Sequence, residues 1–160
     1  MLRIRLICVG RLKERFYQDA FQEYRKRLGA FCSFELVELG EERLPDRPSE
    51  AEVAAALKKE AVQIEKQILK DGRLICLCIE GRQYNSEEFS AVLAEQEASG
   101  HPRITFVIGS SCGMSPEIKQ RADLRLSMSE MTFPHHLARI MLMEQIYRGF
   151  QIREGSRYHK

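Results

Sequence analysis

The sequence predicts an α/β fold with a mostly parallel sheet flanked by helices. Strand-like and helix-like apolar patterns alternate along the whole chain. Two strand runs, RLICLCIEG (73–81) and RITFVIGS (103–110), are apolar enough for burial on both faces. The 160 residues hold no repeat, low-complexity tract or clear linker, so one domain (1–160) with a substantial core is expected.

Each element has its own signal. LRIRLICVG (2–10) alternates and then runs apolar, which predicts a strand ending at Gly10. Phe16, Ala20, Phe21, Tyr24 and Leu28 fall at helical spacing, with Gly29 where a C-cap belongs. CSFELVEL (32–39) reads as the second strand, and GEERLPDRPSE as a polar loop. Ser49 followed by Glu52 makes a capping box for a long helix to about Lys70. Ser86 opens a helix to about Ser99. Ser115-Pro116 starts a short one, with proline at the first helical position. LRLSMS (124–129) is a weaker strand. The last helix follows Pro134 and is apolar nearly all round, so a neighbouring helix or a second subunit must cover it; a dimer interface is the expectation.

Composition narrows the function classes. No run of about 18 apolar residues exists, so no membrane span is expected. MLRIRLICVG lacks the unbroken apolar block of a signal peptide, which points to the cytoplasm. Cys8, Cys32, Cys76, Cys78 and Cys112 are odd in number and mostly in apolar runs, as reduced core residues would be. Their spacing does not call for a metal. Net charge is +2 but uneven: residues 1–29 carry +5, residues 30–100 carry −7 and residues 101–160 carry +4. If the basic ends meet in space they form a surface able to attract phosphate; a solvated mixed surface is the plainer reading.

In parallel α/β sheets, ligands bind beyond the carboxyl ends of the strands. Two segments there can carry chemistry. In VIGSSCGMSPE, Gly109 and Gly113 frame small residues ahead of a helix start, which suits a phosphate, a carboxylate or a ribose; a tight turn fits equally. In LSMSEMTFPHH, a loop of small polar and apolar groups leads to His135 and His136 at a helix N-terminus. The helix dipole there disfavours imidazolium, so a neutral ring can accept a proton; solvated first-turn residues or N-terminal capping groups are the plainer reading. Arg139 lies one turn after His135 and can share its surface.

MTFPHHLARIMLMEQIYRGFQI with the terminal RYHK resembles the RlmH family, small SPOUT-class methyltransferases of bacterial large-subunit ribosomal RNA. The segments RLICVGRLKERFYQDAFQEYRKRL, ICLCIEGR and FVIG fit as well, so the resemblance spans essentially the whole chain. It implies a SPOUT-type α/β trefoil knot and a homodimer with S-adenosyl-L-methionine sites near the subunit interface. It implies N3 methylation of a pseudouridine in 23S rRNA on assembled ribosomes. By motif, the cofactor residues are Leu77, Gly109, Met128, Ser129, Glu130, Met131, Thr132 and Phe133. His135 matches the proline–histidine motif, and Tyr158 and His159 match a functional C-terminal tail at about 151–160.

One position departs. The family loop commonly reads IGG, and Ser110 stands at the second glycine. A positive φ there would strain a serine. For the reaction, His135 is expected as base or orienting group, with Glu130 the alternative base. Arg139, Tyr158 and His159 are expected to place the nucleotide, in part from the opposite subunit. Two other classes stay open: a knotted tRNA methyltransferase, and a non-catalytic nucleotide-binding module.

Overall fold

Strands β1 (Leu2–Val9), β2 (Cys32–Leu39), β3 (Arg73–Gln83), β4 (Arg103–Ile108) and β5 (Leu124–Ser127) lie parallel in one sheet. Their spatial order is β2-β1-β4-β3-β5. Helices α1 (Arg15–Leu28), α2 (Glu50–Gln67), α3 (Ser86–Ala98), α4 (Pro116–Arg121) and α5 (His135–Arg153) cover both faces. The computed structural model describes residues 1–160.

The period-2 pattern sorts the strands' side chains into two cores. Leu2, Ile4, Leu6 and Cys8 join Ile75, Ile104 and Phe106 under α1, α3 and α5, which supply Phe21, Leu28, Phe89, Leu93, Leu142 and Ile146. Ile7, Val9, Leu74, Cys76, Cys78 and Val107 face the other way, against Ala61 and Ile64 of α2 and Ile118 of α4. Cys76 and Cys78 share this second core, as their spacing of two requires. Burial pushes the thiols of Cys8, Cys32 and Cys76 up to about 12, so they stay protonated and unreactive.

The caps follow local chemistry. Ser49 Oγ accepts from the Glu52 amide and Glu52 Oε1 accepts from the Ser49 amide, both at 3.1 Å. Asn85 and Glu88 repeat this box at the start of α3. Ser115 caps α4 with Pro116 in the first helical position.

Three expectations need correction. Helix α2 stops at Gln67 rather than near Lys70. Arg5 Nη1 donates to the Gln67 carbonyl (2.8 Å), and the Leu69 amide donates to buried Thr105 (3.0 Å), which draws the chain off the helix. The second half of β3 is not buried: its register against β5 shifts between Leu77 and Arg82, and Ile79 is exposed. Phe16, assigned to the apolar stripe of α1, is 65 % exposed. Tyr17 is the ring that meets α5, at 6.1 Å from His136.

Much of the apolar surface of α5 is covered within the chain. It packs on the sheet and between α1 and α3, burying Leu142, Met143, Ile146 and Phe150. Leu137 and Met141 remain only half-buried.

Candidate active site

Sheet order determines where the site forms. After β5 at one edge, residues 128–134 return across the carboxyl ends of β3 and β4, so that α5 begins beside β1. A cleft of about 650 Å³ opens under this crossing. Its wall takes Leu77 and Cys78 from β3, Ile108 from β4 and Leu126 from β5.

The turn after β4 is built by backbone. Ser110 and Gly113 exchange two main-chain hydrogen bonds, of 3.0 and 2.8 Å. A Cβ on Gly109 would stand 2.2 Å from the Gly113 carbonyl oxygen, so only glycine fits. The positive φ of this turn belongs to Gly113 (+90), and Ser110 carries none. The strain considered for Ser110 is therefore absent. Its hydroxyl instead donates to buried Glu60 Oε1 at 2.9 Å, and Glu60 Oε2 accepts from the Glu42 amide at 2.9 Å. One carboxylate of α2 thus ties the glycine turn to the loop after β2.

The crossing segment has its own turn chemistry. The Met131 amide donates to Ser129 Oγ (3.0 Å), and Ser127 Oγ donates to the Ser129 carbonyl (3.1 Å). Met128, Ser129, Met131, Thr132 and Phe133 line the cleft together with Leu77, Gly109 and His135. Glu130 is exposed and outside the lining.

His135 sits at the mouth, in the first turn of α5. Its Nε2 lies 3.7 Å from Glu41 Oε1, and its ring meets the His136 ring edge-on at 4.3 Å. Burial, then the neighbouring His136, holds its pKa below the ordinary value of 6.5, against the opposing pull of Glu41. The ring is therefore neutral at neutral pH and able to accept a proton.

Arg139 does not share that surface. Its side chain is 1 % exposed; Nη1 donates to Glu38 Oε2 (2.7 Å) and Nη2 to the Gly10 carbonyl (3.1 Å). It anchors the start of α5 to the ends of β1 and β2, directly behind His135. Gly10 adopts φ +117, and a Cβ there would stand 3.3 Å from His135 Nε2.

In the tail, His159 lines a second cavity, of about 520 Å³, and Tyr158 packs beside it against Glu144 of that wall. This cavity shares Leu126 and Met128 with the first and lies between α3 and α5. Tyr158 Oη donates to Glu144 Oε1 (2.7 Å), and its ring packs on Tyr147 at 5.0 Å and beneath Arg148 at 4.6 Å. His159 bonds Arg148 through Nδ1 (3.2 Å) and Glu87 through Nε2 (2.9 Å). Burial, then the Glu144 bond, pushes the Tyr158 phenol up to about 12, which makes it a neutral donor. Within one chain, the tail and His135 thus stand at different cavities.

Sequence reasoning missed Cys78, Leu126 and Ala138 in the lining, and Glu60 behind it. The first two follow from reading strand ends. Nothing in the sequence marks Glu60, which sits mid-helix.

An all-parallel α/β sheet, with one cleft beyond its strand ends and a loop crossing over it, defines a ligand-binding α/β protein. The chain belongs to the family described as "Predicted SPOUT methyltransferase", which matches residues 2–159. It is therefore a methyltransferase that must bind a methyl donor, and the trefoil knot follows from family membership. The chain is similar to "Ribosomal RNA large subunit methyltransferase H" of Streptococcus pyogenes serotype M5 (strain Manfredo): 47 % identical over 159 residues, 99 % of this chain and 100 % of the relative. The protein of that name from serotype M12 (strain MGAS2096) is 46 % identical with the same coverage. A solved structure, of "a probable methylase family protein from Haemophilus influenzae Rd KW20", superposes with a TM-score of 0.53. It covers 98 % of this chain and 70 % of that one at 14 % identity, a likeness of fold alone.

Proposed function

We propose that this chain uses S-adenosyl-L-methionine to methylate N3 of a pseudouridine in 23S rRNA on assembled ribosomes, as a homodimer. The observation that carries this reading is the cleft itself. Seven of the eight cofactor residues implied by the resemblance line it, and neutral His135 stands at its mouth. The relatives' printed names supply the rRNA of the large subunit as substrate.

The residues present fit such a donor. About 650 Å³ suits a nucleoside-sized ligand, and apolar Leu77, Ile108, Met128 and Phe133 alternate with the main chain of the glycine turn. When bound, the donor supplies an electrophilic methyl carbon on a sulfonium. The protein's part is alignment and proton removal. His135 accepts the N3 proton, and Glu41 at 3.7 Å stabilises the imidazolium formed. Arg139 positions His135 through Gly10 and Glu38 and does not touch the base.

The separation of His135 from Tyr158 and His159 supports a site shared between two subunits. The tail of one copy would then serve the cleft of the other, with Tyr158 donating to the target nucleotide. The half-buried Leu137 and Met141 of α5 support the same pairing.

Labelled S-adenosyl-L-methionine, offered with ribosomes and with total tRNA, tests the assignment. Label should appear in 23S rRNA and be lost when N3 of the pseudouridine is already methylated. Transfer to tRNA alone would replace this reading with the tRNA enzyme, and binding without transfer with the non-catalytic module.

A further inference from the structure

Phe16 is the exposed aromatic of α1, and its surroundings are chemically specific. It begins a series of rings that leads to the cleft. Phe16 lies 4.4 Å from Tyr17, Tyr17 lies 6.1 Å from His136, and His136 lies 4.3 Å from His135. Arg11, Lys13 and Arg15 immediately precede Phe16, and all three are exposed. The acid among them, Glu14, is already engaged by His136 at 3.5 Å. The patch therefore offers a stacking face, free cations and a path to the reacting site.

We propose that residues 11–16 form a docking platform for the RNA strand beside the target nucleotide. Phe16 stacks an unpaired base, and Arg11, Lys13 and Arg15 contact the adjoining phosphates. The proposal rests on the reading of this chain as an rRNA methyltransferase. The physical basis is general: proteins hold unpaired RNA by aromatic stacking beside cations that track the backbone. A second copy of the chain fits less well, because a two-fold contact through this patch would bring two cationic runs together.

The test is methyl transfer to ribosomes lacking the modification, at several salt concentrations. Phe16→Ala should raise KM for ribosomes about tenfold, the scale of one lost base stack, with far less effect on kcat. Phe16→Trp should keep KM near the wild-type value. Replacing Arg11 and Lys13 by alanine should flatten the log KM–log salt slope by about 0.7 per contact removed. Cofactor affinity and the melting curve report whether these surface variants remain folded.

Wild-type protein that methylates ribosomes, with variants unchanged in KM and salt slope, would overturn the platform alone. A shift of Phe16→Ala to a different oligomeric state by light scattering would overturn it in favour of a subunit contact. Wild-type protein inert on ribosomes would overturn the underlying reading, and the platform with it.

Discussion

The cleft under the crossing loop and the cavity beside the tail adjoin each other, yet they are held by different forces. The cleft is shaped by main chain and by packing: a glycine turn closed by two backbone bonds, strand ends and a crossing loop. The tail is held by side chains, through Tyr158–Glu144, His159–Arg148 and His159–Glu87. Backbone geometry persists in every state in which the fold persists. A few partly exposed side-chain bonds open locally at much lower free energy. The cleft is therefore pre-formed, whereas the tail opens readily, as the proposed site shared between two subunits would require.

The largest effect should come from His135→Ala. Loss of a general base lowers kcat by about 10²–10⁴-fold, whereas cofactor affinity measured by calorimetry should change little. Equal loss of both would move His135 from the chemistry to the cleft wall. Next is deletion of residues 157–160. The cleft does not depend on those residues, so cofactor binding and the melting curve should hold. Methyl transfer should fall by about 10²-fold, the scale of a misplaced substrate. Full activity of the truncated chain would remove the tail from the reaction and erase the contrast.

A smaller effect is expected at Ser110→Ala. It removes a buried donor from Glu60, with a cost of about 1–3 kcal/mol in unfolding free energy. Because Glu60 also holds the Glu42 amide, the loop after β2 should become more sensitive to protease. Stability unchanged within error would reduce the Ser110–Glu60 bond to a bystander.

The mildest signature is in pH. His135 has a lowered pKa in the folded chain, so the unfolded chain binds its proton first as pH falls. Its contribution to stability is present above about 6.5 and is lost as pH drops toward the folded value. The acid limb of kcat/KM should accordingly lie below the ordinary histidine value of 6.5 and vanish in His135→Ala. A limb at or above that value would assign the base to another group.

Much of this was legible because it depends on near neighbours. Ser49 and Glu52, or Ser115 and Pro116, meet across three residues or fewer and behave as their types require. The alternation of β1 and the continuous apolarity of β4 placed strands to within a residue or two, and Cys76 and Cys78 on one face. The cleft residues were reachable by reading strand ends and by family resemblance. The errors came from contacts distant in sequence. Arg139 looks like a companion of His135 one turn away, until Glu38, 101 residues earlier, draws its charge inward. Ser110 looks strained until Glu60, 50 residues earlier, turns it into a hydrogen-bond donor.

By itself, then, the sequence determined the element order, the caps, the two-faced strands and the loop chemistry at the strand ends. Those rest on local sterics and on a hydrophobic period that the chain carries at every point. The tertiary structure alone decided which apolar rings are covered and which charges are paired. Phe16 and Phe21 are alike in pattern, yet one is exposed and the other buried. It also decided that the tail and His135 open on separate cavities. These outcomes depend on which surfaces meet, and no local period encodes a meeting between residues a hundred positions apart.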